Sequence, residues 1–165
     1  MNANLAAFLD MLSVSEGTST NPITMNRGYD VIVTGLDGPE IFTDYTDHPF
    51  APSAAYPKGR PTKVINLRGL TSTASGRYQQ MWRYWPHYKY LLKLPDFGPE
   101  SQDRCAVQQI KEQRALDDIL TGHFIVAVGK VSNIWASLPG AGYGQHENQM
   151  AALEDAYERA GGAFA

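Results

Sequence analysis

The sequence predicts an α+β protein in which a mainly helical body carries a small inserted β-hairpin lobe. Three observations predict it. Apolar residues recur at helical spacing near both ends of the chain, at Leu5, Phe8, Leu9 and Leu12 and again at Met150, Leu153 and Tyr157. Between them, Tyr29-Asp30-Val31-Ile32-Val33-Thr34 and Glu40-Ile41-Phe42-Thr43 flank the turn signal Gly35-Leu36-Asp37-Gly38, the pattern of a hairpin. After Gly76 the pattern is helical and stays so. With 165 residues, 43% hydrophobic and 19% charged, the chain suits a single globular domain over residues 1–165, with a β-rich portion at 28–70.

Each element has its own signal. Asn4 is placed to cap the first helix, which should stop near Glu16-Gly17, because residues 13–21 are rich in Ser, Thr and Asn and glycine commonly ends a helix. A third short strand is expected at Val64-Ile65-Asn66-Leu67. Residues 49–62 contain Pro49, Pro52, Pro57, Gly59 and Pro61, too many breakers for a regular element, and long loops of this kind often serve as lids or binding loops. Tyr78, Trp82 and Trp85 fall on one helical face, which reads as core before it reads as a sugar platform. Pro86 should end that helix, with residues 87–94 forming a short one. Pro99 opens a helix that turns Val107 and Ile110 inward. Residues 115–120 form the next, stopped by Gly122, and residues 123–135 are apolar enough for a buried helix. A small-residue loop at 137–144 leads to the last helix, which ends at Gly161-Gly162. No internal repeat or separate second domain is visible.

Composition narrows the function classes. Apolar runs such as residues 5–9 and 124–128 are far shorter than the roughly 20 residues that span a bilayer, so no membrane insertion is expected. No secretory signal is visible at the N-terminus, which implies residence in a cytoplasm until something else releases the protein. The single cysteine, Cys105, excludes an internal disulfide and reads as a buried structural thiol. The net charge of −3 conceals an asymmetry: from His48 to Pro95 there are eight Lys and Arg residues and no Asp or Glu. Nucleic acid is one partner for such a stretch, but the pI is acidic and no nucleic-acid motif accompanies it. A polymer bearing carboxylates suits it equally, and so does a merely solvated basic face.

Glu16 is the carboxylate best placed for acid chemistry. A glutamate at a helix end, packed against apolar residues and opening into a polar loop, can have its pKa raised until it holds a proton near neutrality, as glycosidic bond cleavage requires. Alone, the same pattern also describes a surface carboxylate, although the helix dipole disfavours an anion there. Glu40 follows the hairpin turn, and Glu100, Glu112, Glu147, Glu154 and Glu158 read as solvated helix-face residues. The histidines His48, His87, His123 and His146, with Cys105, raise a rival reading as a zinc amidase, but their spacing matches no metal-binding cluster. No cofactor or metal is expected.

Several runs carry a family resemblance. They are Ala7-Phe8-Leu9-Asp10-Met11-Leu12, Ser15-Glu16-Gly17-Thr18, Gly28-Tyr29-Asp30-Val31-Ile32-Val33, Phe42-Thr43-Asp44-Tyr45 with Asp47-His48-Pro49, and Gly76-Arg77-Tyr78-Gln79. The longest is Ser132-Asn133-Ile134-Trp135-Ala136-Ser137-Leu138-Pro139-Gly140-Ala141-Gly142-Tyr143-Gly144-Gln145. In these collinear runs the chain resembles the phage lambda lysozyme family of lytic-transglycosylase endolysins. The resemblance implies a lysozyme-like bilobal fold with an active-site cleft between the helical body and the hairpin lobe. It implies Glu16 as the catalytic acid and peptidoglycan glycan strands as the partner. It also suggests Tyr29, Asp30, Gln79, Ser137 and Tyr143 as substrate-binding residues, with cleft loops at about 50–68 and 130–143. The resemblance further implies a monomeric enzyme that acts on the wall in the periplasm, and the missing signal suggests a holin-made lesion as its route. The chain departs from the family in the turn at 36–39 and in its longer, Pro-rich first loop. Two alternatives stay open: a hydrolytic muramidase with Asp30 or Asp44 as second carboxylate, and an inactive glycan-binding phage protein.

Overall fold

The computed structural model describes residues 1–142 and 147–165. The chain forms two compact units, one of Met1–Gly17 with Ala106–Ala165 and one of Thr18–Cys105.

In the first unit, α1 (Ala3–Ser15) is capped by Asn2, whose side-chain oxygen accepts from the amides of Asn4 at 2.9 Å and Leu5 at 3.3 Å. The cap is therefore Asn2 and not Asn4. Residue 2 is extended, and only from that conformation can a side chain reach back to the free amides of the first turn. Asn4 lies inside the helix and instead ties its start to the chain end, accepting from the Ala163 amide at 2.9 Å. Ala7, Phe8, Met11 and Leu12 are completely buried. Phe8 meets the edge of Phe124 with centroids 5.9 Å apart, and Phe124 packs on Tyr157 at 4.7 Å. These rings join α1 to α5 (Phe124–Val131) and α6 (Met150–Arg159), while α4 (Leu116–Leu120) closes the bundle. Helix α5 is shorter than residues 123–135 and buries only one stripe, Phe124, Ala127, Val128 and Val131, leaving Ile125 and Val126 exposed. At its far end α1 stops at Glu16, followed by Gly17 in the left-handed region at φ 68°, which glycine adopts without strain.

In the second unit, β1 (Val31–Gly35) and β2 (Gly38–Ile41) form the expected hairpin, with Val31 opposite Ile41. The third strand is β3 (Lys63–Val64), shorter than expected and paired with an unforeseen β4 (Thr71–Ser72). Residues 49–62 hold no helix or strand, as their prolines require. The stretch at 76–84 is not helical. Gly76 and Gln79 both have positive φ, at 76° and 50°, and their turns place Tyr78 and Trp85 in the core without a helix between them. Helix α2 (Trp85–Leu92) then starts where Pro86 was expected to end one. The physical reason is positional: in the first turn a proline's missing N–H costs nothing and its fixed φ favours the helix. Helix α3 (Pro99–Glu112) follows, and the boundary between the two units falls within it.

The core of this unit gathers Ile32, Phe42, Phe50, Trp85, Leu94, Phe97 and Cys105. His48 sits among them, 2% exposed, with its ring 4.6 Å from that of Phe97. Its Nδ1 accepts from the Phe50 amide at 3.2 Å, so Nε2 carries the hydrogen donated to the Gln80 carbonyl at 2.9 Å. Both nitrogens are used by the neutral ring, and burial pushes its pKa down to about 4. An unfolded histidine titrates near 6.5. Between those values the unfolded chain binds a proton that the folded chain refuses, so this contribution is complete above pH 6.5 and is lost as pH falls towards 4. In urea titrations, His48→Gln should be less stable than wild type at pH 7. That gap should narrow by about 2–3 kcal/mol at pH 4, because only the wild type loses the histidine contribution. A gap that stays constant across this range would show that His48 is not held neutral.

Candidate active site

Glu16 occupies the C-cap of α1, and its own N–H still closes the last turn on Leu12 O at 2.9 Å. The side chain is therefore aimed by the helix and followed by a sharp glycine turn. Its carboxylate Oε1 accepts from Ser137 Oγ at 2.6 Å. Burial raises the Glu16 pKa to about 7 and the Ser137 hydrogen bond opposes it, burial being the larger cause. The residue as a whole keeps some exposed surface. A carboxylic acid poised between protonated and ionised forms near neutrality can both give and take a proton. Among the described residues, the other carboxylates with displaced pKa values, Asp37, Glu40, Asp44, Asp47 and Glu147, are all shifted downward.

Ser137 is itself held. Ser15 Oγ lies 2.7 Å from Ser137 Oγ, and Asn148 Nδ2 donates to Ser15 O at 3.0 Å, Ser15 Oγ at 3.1 Å and Ser137 O at 3.1 Å. The Asn148 amide also reaches Ser137 O at 2.8 Å. Glu147 is a loop residue and not on a helix face; its carboxylate accepts from the amides of Gly140 at 2.9 Å and Gly142 at 2.8 Å, which holds it in its ionised form. Sequence reasoning missed Ser15 and Asn148. Ser15 lies in the run already singled out around Glu16, whereas nothing local marks Asn148.

The other expected site residues fall in the second unit, apart from Tyr143, which lies outside the described residues, as does His146. Tyr29 is half-buried and donates its hydroxyl to Asp103 Oδ1 at 2.8 Å, an oxygen that also accepts from Tyr78 at 2.7 Å. Burial and Asp103 raise the Tyr29 pKa to about 12. The Arg77 guanidinium stands 5.0 Å from the Tyr29 ring centroid, a cation–π contact. Gln79 is partly exposed, with its left-handed backbone and its Nε2 donating to Gly76 O at 3.1 Å. Gly76 is required here: a Cβ would lie 2.2 Å from Gln102 Oε1, which already accepts from the Arg77 amide. Asp30 is 2% exposed, and its two oxygens accept from the Thr24 hydroxyl at 2.5 Å and the Met25 amide at 2.8 Å, organising the loop before β1. Asp44 is exposed and accepts from the Thr46 amide and hydroxyl, which lower its pKa. Asp103 was missed because its role is a meeting point of two distant tyrosines.

The basic stretch is partly neutralised by acids lying before it in the chain. Lys63, only 6% exposed, pairs with Asp37 at 2.7 Å and Glu40 at 2.9 Å; Arg60 pairs with Glu40, and Lys89 with Asp47 at 2.7 Å. Asp37, Arg60 and Lys63, with Leu36, Tyr56 and Val64, line a surface pocket of about 370 Å³.

Comparison with known proteins fits this architecture. Residues 6–164 match the family model described as Endolysin. The chain is 62% identical over 160 residues to the endolysin of Escherichia phage P2, covering 96% of this chain and 93% of that one. It is 48% identical over 164 residues to the endolysin of Escherichia phage lambda, covering 98% and 94%. The solved structure of bacteriophage lambda lysozyme complexed with a chitohexasaccharide superimposes with a TM-score of 0.84 at 47% identity, over 100% of this chain and 98% of the other. A second structure of lysozyme from bacteriophage lambda gives the same TM-score at 45% identity. The fold is thus the lysozyme-like α+β fold, and with a family match running through nearly its whole length, the chain belongs to the endolysin family.

Proposed function

We propose that this endolysin degrades peptidoglycan by lytic transglycosylation, with Glu16 as its catalytic acid and base. The observation that carries the reading is the Glu16 carboxyl, fixed at the end of α1, bonded by Ser137 and raised by burial to a pKa of about 7. In the first half of the reaction protonated Glu16 gives its proton to the oxygen linking MurNAc to GlcNAc, and that bond breaks as the muramic C1 gains oxocarbenium character. In the second half the 6-hydroxyl of the same muramic sugar bonds to C1 and its proton passes to Glu16, leaving a 1,6-anhydro end and restoring the acid. The attacking oxygen belongs to the substrate, so no water need be activated, and proximity supplies several kcal/mol of the barrier.

The competing hydrolytic reading needs a second carboxylate that acts on water or sugar. Asp30 is buried with both oxygens engaged, and Asp44 is held as a weak base by Thr46. Both features favour the transglycosylase. A glycan substrate is supported by the chitohexasaccharide bound to the lambda lysozyme. Tyr29, Gln79, Ser137 and Tyr143 remain our proposed contacts to sugar and N-acetyl groups, Ser137 now also as the residue that bonds the acid. Action as a monomer, after release from the host cytoplasm through a holin-made lesion, completes the proposal; no helix among the described residues is long and apolar enough to cross a membrane.

Mass spectrometry of digested sacculi should find anhydro-muramic ends and no new reducing ends; reducing muramic ends would establish hydrolysis. Glu16→Gln should lower wall clearing by about 10²–10⁴-fold, while retained glycan binding would separate loss of chemistry from loss of fold. Wild-type activity should fall as pH rises through about 7, since only the protonated acid starts the reaction. The same raised pKa contributes stability below the unfolded value near 4.5 and loses it as pH rises through about 7. Glu16→Gln should therefore raise Tm relative to wild type at pH 8, with the difference shrinking towards pH 4.5.

A further inference from the structure

The Ser137–Glu16 bond is the last link of a longer chain that has an obligate donor, the Asn148 side-chain nitrogen, at its head. Asn148 Nδ2 faces two backbone carbonyls, Ser15 O at 3.0 Å and Ser137 O at 3.1 Å. Carbonyls only accept, so this end of the amide is its nitrogen, and an amide nitrogen only donates. Its third contact, to Ser15 Oγ at 3.1 Å, shares one of its two hydrogens, and in that contact only the hydroxyl oxygen can accept. Ser15 is 8% exposed, and the acceptor within reach of its own hydrogen among the described residues is Ser137 Oγ at 2.7 Å. Ser137 receives it and gives its own hydrogen to Glu16 Oε1 at 2.6 Å. Each hydroxyl accepts on one side and donates on the other, an arrangement in which successive bonds polarise one another.

We propose that Ser15 and Asn148 are positioning residues: they head a one-way chain, Asn148 to Ser15 to Ser137 to Glu16, that keeps Oε1 an acceptor and confines the transferable proton to Oε2. The proposal rests on the reading of Glu16 as the proton donor and deepens it. With Oε1 held as an acceptor in both protonation states, the acid proton has one site, on the oxygen not turned towards Ser137. Reversing the chain would spend that proton on Ser137. The carboxylate nearest in sequence to Asn148 is Glu147, which is engaged by the amides of Gly140 and Gly142, and the two causes acting on Glu16 itself are burial and Ser137.

The test is a mutant cycle read through the Glu16 side-chain carbon resonance of the full chain, titrated by NMR. Ser137→Ala should raise the Glu16 pKa, because it removes the hydrogen bond that lowers it. Ser15→Ala should raise it by a smaller amount, about 0.5, and should add nothing in a Ser137→Ala background, since its influence passes only through Ser137. A Ser15→Ala effect of equal size with Ser137 absent, or no effect in either background, would overturn the proposal. Asn148→Asp provides an independent arm by placing an acceptor at the head of the chain. It should raise the Glu16 pKa by more in the wild-type background than in Ser137→Ala, where only the repulsion of the new charge is left; a folded Asn148→Asp protein whose Glu16 shift is the same in both backgrounds would also overturn it. If Asn148→Asp does not fold, the serine cycle decides alone. The cycle reads differences in a protonation equilibrium, so it stands apart from the catalytic assignment, which fails if Glu16→Gln keeps its activity.

Discussion

A carboxyl group at the C-terminal end of a helix is opposed twice over when it ionises. The helix presents the negative end of its dipole there, and the surrounding protein withholds water from the charge. In this chain one hydroxyl, that of Ser137, works against both. The balance leaves Glu16 near half-protonated at neutrality, and much of the first unit can be understood as what keeps that balance in place. The Phe8–Phe124–Tyr157 contacts fix α1 against α5 and α6. The turn at Gly17 releases the chain immediately after the acid, and Asn148 ties the loop bearing Ser137 to the last turn of α1.

In the second unit several buried polar groups are engaged by specific partners. His48 spends both ring nitrogens on backbone partners, Asp30 spends both oxygens on the loop before β1, and Asp103 joins the hydroxyls of Tyr29 and Tyr78. Groups of this kind add little net stability once desolvation is counted, but each tolerates few alternative geometries. Two of these bonds, Tyr78 to Asp103 and His48 to the Gln80 carbonyl, flank Gln79, whose backbone takes a left-handed conformation that a glutamine rarely adopts. Residues held so are common at sites that contact ligands, which agrees with its proposed place against the glycan.

Much of this was legible in the sequence, for local reasons. The hairpin followed from alternating β-formers around a Gly/Asp turn. Glu16 stood out because the helical pattern of α1 ends on it and a glycine follows. What escaped depended on partners far along the chain. Asn148 owes its role to Ser15, more than a hundred residues away. The basic stretch looked unopposed because its acids, Asp37, Glu40 and Asp47, precede it. The aromatic spacing of Tyr78, Trp82 and Trp85 imitates a helix, yet the backbone turns at Gln79, and burial of two of those rings is achieved without one. The two-residue strand β4 carries too short a signal to read.

The most direct test of the whole account is a titration of the Glu16 carboxyl in the intact, unliganded protein, followed by carbon-detected NMR with Glu16→Gln to assign the resonance. A midpoint near pH 7 is the predicted result. A midpoint near 4.5, the value of an ordinary glutamate, would mean that water reaches this carboxyl freely, and the acid assigned here would be ionised under the conditions in which it must donate.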